Sequence, residues 1–230
     1  MERNPKPYLE DSFAIDNETV EDAKGQIGNA ELVDHSRRLE KKLWNVTEGV
    51  WCFVGNGLSN QTFVEGPEGL IVIDTGECVE EMTEALVAVR KETQLPIAAV
   101  IYTHFHYVAG TKAVFTSEER DDIPIWGHER IAMNRRSYGT ELSAGASRGL
   151  IHQFGIALPH SGIDSVINVG LGLAYRNPEH APFTPGFVEP NKTFTEPLSV
   201  QIAGLQVQMS PAPSDADDSI TIWFPDLGVC

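Results

Sequence analysis

From Leu43 onward the chain has a legible pattern of apolar and polar positions. Trp44, Val46, Val50, Cys52 and Val54 alternate with other residues, and Thr47-Glu48-Gly49 between them has turn chemistry, which predicts a β-hairpin. Gln61–Glu65 predicts the next strand, a Gly66-Pro67-Glu68-Gly69 turn follows, and Leu70-Ile71-Val72-Ile73-Asp74 is apolar almost throughout. A run of that kind marks a strand covered on both faces, hence interior to its sheet. Val79, Met82, Leu86 and Val89 then recur at helical spacing, with Glu80, Glu81 and Glu84 in the early turns, where carboxylates suit the helix dipole. Pro96 closes that helix, and Ala98–Tyr102 is a second buried strand, so strand, helix and strand form a βαβ unit. A short helix at Thr111–Thr116, a strand at Ile123–Trp126 and one long helical stretch through Glu129–Phe154 are expected next.

Residues 156–192 are rich in Pro and Gly and lack periodicity. A loop of that length within a compact domain usually carries function. Strands resume at Ser199–Ile202, Leu205–Met209 and Ile220–Phe224. Residues 1–40 are polar and acidic and read as an arm, helical in part around Ala30–Lys41, attached to a domain over 41–230.

The 230 residues can bury a sizeable core. A formal net charge of −16 speaks against nucleic acid or an anionic membrane as partner, because both need a basic face. It also means that a small anionic substrate must be drawn in by a local field against the global one. No signal-peptide pattern and no membrane-length apolar run is visible, and Cys52, Cys78 and Cys230 make a poor disulfide framework, so a cytoplasmic setting is expected.

The chemistry concentrates at Thr103-His104-Phe105-His106, just past the end of the second buried strand. Ligands of open α/β sheets bind in the crevice at those strand ends. Two imidazoles at i and i+2 can both aim into it, and two or three neutral imidazoles with an open position make a catalytic zinc site. By itself such a pair is a weak signal, since most histidines are solvated or hydrogen-bonded in a core. Asp74, at the end of the neighbouring strand, is the candidate acceptor for a ligand's second ring nitrogen.

A strand ending Ile71-Val72-Ile73-Asp74-Thr75-Gly76, then a helix, then a strand ending Thr-His-x-His resembles the metallo-β-lactamase superfamily. Leu58–Gly66, Val169-Gly170-Leu171-Gly172-Leu173 and the Ser214-Asp215 to Pro225 stretch resemble its alkylsulfatase branch, which acts on alkyl sulfate esters such as dodecyl sulfate. The resemblance implies an αββα sandwich. It also implies a first metal site of His104, His106 and a carboxylate aligned with Asp215, with Asp217 and Asp218 as close rivals, and Asp74 as the catalytic support that orients an imidazole. The superfamily motif continues as His-x-His-x-Asp-His, and its last two positions here are Val108 and Ala109, neither able to coordinate a metal. One zinc rather than two is therefore expected. The resemblance further implies, beyond Cys230, a bridging carboxylate, another metal-binding His, the remaining strands, a helical dimerisation region and a C-terminal domain. On that basis the second half of the fold is incomplete and the chain a truncated member, homodimeric only if that region exists.

The other histidines have blander readings. His128 is expected in a core or helix-capping role, and His35, His152, His160 and His180 receive none. Tyr175 and Arg176 lie where they reach toward an anionic head group or are solvated, and Trp44, Trp51, Trp126 and Trp223 are expected in the core. The leading expectation is a zinc-dependent hydrolase of alkyl sulfate esters. The alternatives are a hydrolase of the same fold acting on a thioester, lactone or β-lactam, and a non-catalytic relative that has lost its metals.

Overall fold

The computed structural model describes residues 19–230, so the first 18 residues of the expected arm lie outside the described residues. The chain forms short strands β1 (Thr19–Glu21) and β2 (Ile27–Asn29), helix α1 (Ala30–His35), and strands β3 (Lys42–Thr47), β4 (Val50–Val54), β5 (Gln61–Gly66) and β6 (Gly69–Ile73). Then come α2 (Val79–Val89), β7 (Ile97–Ile101), α3 (Thr111–Glu118), β8 (Ile125–His128), α4 (Ile131–Gly139) and α5 (Ser143–Phe154). Strands β9 (Lys192–Phe194), β10 (Leu198–Ile202), β11 (Leu205–Pro211) and β12 (Ile220–Trp223) complete it.

Strands β3 to β9 line up in chain order as one seven-stranded sheet, and β10, β11 and β12 form a second, three-stranded sheet. Pairing in the large sheet is antiparallel up to β6 and parallel from β6 to β9. The change falls at the βαβ unit, because a crossover helix returns the chain to run parallel. Side chains alternate across each strand, so the two faces of β6 feed two cores. Leu70 and Val72 pack with Met82, Leu86 and Val89 of α2 under the helices. Ile71 packs on the other face with Val207, Met209, Ile222 and Phe224 of the small sheet. This is the mixed α/β sandwich that the family resemblance implies. The outer face of the small sheet is exposed through Ser199, Gln201, Gln208, Thr221 and Trp223.

Several elements differ from expectation for local reasons. The strand expected at Ile123–Trp126 begins at Ile125, since Pro124 lacks the N–H for a ladder bond and instead accepts from Val100 through its carbonyl at 2.9 Å. The expected helix over 129–154 is two helices, broken after Gly139 at Thr140–Leu142. Strand β9 is absent from the sequence reading because Lys192 and Thr193 are both exposed and no alternation betrays it. Trp44 (43% exposed) and Trp223 (37%) are surface residues, not core, with Lys42 Nζ 4.0 Å above the Trp44 ring. His128 is buried at the end of β8, in the core position that was one of its two expected roles; its Nδ1 accepts from Arg130 N at 3.2 Å, and the helix that follows has no side-chain cap.

Candidate metal centre

Two loops at the strand ends build the site. After β6 the chain turns through Asp74, whose φ is +57°, and Gly76, whose φ is +73°. After β7 it runs through Thr103–Val108. Thr75 N donates to Tyr107 O at 2.8 Å and Ala109 N to Gly76 O at 2.9 Å, so the histidine loop is strapped to the neighbouring strand end. A Cβ on Gly110 would sit 2.0 Å from the Thr75 carbonyl oxygen, so only glycine allows that approach. On the other side, Ile220 N donates to Thr103 O at 2.9 Å, which brings the β11–β12 connection over the same spot.

The result is a cluster of His104, His106 and Asp215 whose ligand-type atoms lie within 4.8 Å of one another. Asp215 Oδ2 is 3.7 Å from His104 Nε2 and 3.6 Å from His106 Nδ1. Of its rivals, Asp217 bonds Arg130 and Asn134, while Asp218 is fully buried, near enough to His104 for that charge to act on it, and outside the three-residue group.

Asp74 acts on His104 through an intermediary. Its carboxylate accepts from Thr103 N (2.8 Å) and from the Thr103 hydroxyl (2.6 Å), and that hydroxyl lies 2.8 Å from His104 Nδ1. The sequence reading has Asp74 meeting an imidazole directly; the structure interposes Thr103, which makes Asp74 a positioning residue behind the cluster. With its single proton given to Asp74, the hydroxyl accepts from His104 Nδ1–H, which leaves the Nε2 lone pair free. That Nε2 is buried and has no hydrogen-bond partner. An orphaned buried imidazole nitrogen facing a second imidazole and a carboxylate is the donor set that suits a divalent metal. Burial, with the neighbouring His104 charge, pushes His106 down to about 4, so at ordinary pH its imidazole is neutral, the form able to bind a metal.

The cluster opens onto a cavity of about 560 Å³ whose walls include Glu77, His106, Tyr107, Arg135, Arg176 and Asp215. Burial drives the Glu77 carboxyl up to about 7 despite the Arg176 and Arg135 charges, which act in the other direction. A second, apolar pocket of about 360 Å³, lined by Leu158, Val166, Leu173 and Phe183, shares Phe154, Tyr175 and Arg176 with the first. Glu77 and Arg135 were not singled out from sequence. Glu77 follows the Asp74-Thr75-Gly76 turn at the crevice and was findable there, but Arg135 reaches the cavity from α4 and no local pattern points to it.

Comparison with known proteins places this geometry. The family model described as "Metallo-beta-lactamase superfamily" matches residues 54–107, a span that holds Asp74, His104 and His106. A linear primary-alkylsulfatase of Pseudomonas sp. is 36% identical over 169 residues, 71% of this chain and 30% of that protein. The chain belongs to the metallo-β-lactamase superfamily, in its alkylsulfatase branch. An alkyl/aryl-sulfatase of Saccharomyces cerevisiae is 28% identical over 198 residues, 81% of this chain and 29% of that protein. A stereoselective inverting sec-alkylsulfatase from Pseudomonas sp. superposes with a TM-score of 0.70 at 19% identity, over 96% of this chain and 39% of that one, which shows the shared fold. The chain thus spans about 30% of the length of the sulfatases it matches in sequence. Metal binding is typical of the metallo-β-lactamase superfamily. At the two positions where its motif carries Asp and His, Val108 (0% exposed) and Ala109 (1%) are packed into the interior.

Proposed function

We propose that this alkylsulfatase-branch chain is a zinc-dependent hydrolase of alkyl sulfate esters that works with a single metal at His104, His106 and Asp215. One observation carries the reading: the cluster opens into a cavity with two arginines that adjoins an apolar pocket. That layout suits an amphiphile with an anionic head and an apolar tail. Arg135 and Arg176 would hold the sulfate oxygens by charge-assisted hydrogen bonds. The alkyl chain would lie along Leu158, Val166 and Phe183. Asp74 and Thr103 hold the His104 tautomer whose Nε2 lone pair would be open to the metal. Glu77, titrating near neutrality inside the cavity, can take or give a proton at its carboxylate. A bound zinc would supply a Lewis acid that activates water and offsets charge on the departing sulfate.

Sulfate release from dodecyl sulfate, with and without zinc, tests the proposal. Release that needs zinc and disappears in His104→Ala/His106→Ala is expected. A folded, zinc-loaded protein that releases none would sink it, and turnover of a lactone, thioester or β-lactam instead would shift the substrate class. A second reading rests on Val108 and Ala109. Because both fill interior space where the motif has ligands, a non-catalytic relative is the outcome if every ester is left intact.

A further inference from the structure

Away from the histidine loop lies another group of buried ligand-type side chains. Cys78, Glu81 and His180 are 1%, 2% and 4% exposed, and their ligand-type atoms lie within 4.8 Å of one another. Cys78 caps α2 and Glu81 lies one turn into it, on the same face. His180 comes from the single 3₁₀ turn (Pro178–His180) of the long loop. We propose that these three residues form a structural site for a thiophilic divalent metal, zinc above all, which fastens the long loop to α2. The inference rests on this geometry alone and not on the sulfatase reading.

The donors are those zinc takes: a thiolate, an imidazole and a carboxylate. Tetrahedral zinc with bonds of about 2.0–2.3 Å separates its ligand atoms by roughly 3.3–3.8 Å, so closing the site asks for movements on the order of an ångström. The outer contacts are in place. Glu81 accepts from Gln61 Nε2 at 2.8 Å and from Glu77 N at 3.0 Å, which fixes its carboxylate. His180 Nε2 lies 3.1 Å from Glu84 Oε2, the carboxylate-behind-imidazole arrangement that orients metal-binding histidines. Burial drives the Glu81 carboxyl up to about 7 and the Cys78 thiol up to about 11, the mark of acidic groups buried without a full counter-charge. A divalent cation would supply that charge. Coordination sends the Cys78 proton to solvent, while Glu81 binds as carboxylate and His180 as neutral imidazole. Tyr175 and Arg176, a few residues before His180, wall the cavity beside the histidine cluster, so a metal here would also set that wall.

Cobalt substitution separates this site from the other, which contains no sulfur. The whole chain is stripped of metal, loaded with Co²⁺, and its near-ultraviolet spectrum recorded. A thiolate-to-cobalt charge-transfer band is expected in wild type and in His104→Ala/His106→Ala, and its loss in Cys78→Ser. His180→Gln, which keeps all three cysteines, is expected to weaken the band several-fold, with circular dichroism confirming that each variant is folded. No band in the folded wild type overturns the proposal. So does a band that survives Cys78→Ser, since it would arise from Cys52 or Cys230.

Discussion

Thr103 occupies the point on which the His104 geometry depends. Its hydroxyl joins Asp74 to the imidazole, so Thr103→Val keeps the shape and removes the link. Loss of such an outer contact lowers metal affinity about 10–100-fold. A competition titration against a zinc indicator is expected to show that drop, and an unchanged affinity would refute the relay. Glu77 gives a pH signature in the metal-free protein. Its carboxyl is raised from the ordinary 4.5 to about 7, so between those values the folded state holds a proton that the unfolded state has lost. Raising the pH through that window therefore favours unfolding, and the loss is complete above about 7. Urea denaturation of Glu77→Gln is expected to show a flatter fall from pH 5 to 8 than wild type; parallel profiles would mean that Glu77 titrates normally. At this scale the histidine pair and Asp74 were legible because they sit at strand ends. Val108 and Ala109 were legible as departures from a motif. The Thr103 link was not, because it depends on a rotamer, and the Cys78, Glu81 and His180 group was not, because its members meet only through tertiary packing.

Elements place these residues, and the tightest junction is where α3 begins against the end of β6. Gly110→Ala would push a methyl to 2.0 Å from Thr75 O and 2.6 Å from Met82 Cβ. Backbone and core side chain leave little room to yield, so a loss of about 1–3 kcal/mol is expected in chemical denaturation. Stability equal to wild type would show that the histidine loop is slacker than the structure has it. Strands with strong apolar character, β6 and β7, were legible almost to the residue. Those whose identity depends on pairing, β9 above all, were hidden because an exposed edge strand needs no apolar alternation. Pro124 and Gly139 shifted two boundaries by removing a ladder donor and by ending a helix.

For the whole molecule, the order of strands and helices along the chain followed from texture, and their layering from the resemblance to the superfamily. The β-rich start, the βαβ centre and the β-rich end became one seven-stranded sheet with helices on one face and a three-stranded sheet on the other. What texture could not convey is that Asp215 from the second sheet meets two histidines of the first, since that depends on how the sheets stack. The −16 charge adds a constraint at this scale: the proposed anionic ester would need a cation at the cluster, with Arg135 and Arg176, to offset repulsion from the rest of the surface. The account therefore stands on metal at His104, His106 and Asp215. The most direct test is the zinc content of the intact, folded chain by elemental analysis, for wild type and for His104→Ala/His106→Ala in parallel. The expected result is that the double variant holds one zinc per chain fewer than wild type. Equal zinc contents in the two would contradict the account, because whatever zinc the chain holds would then be held elsewhere.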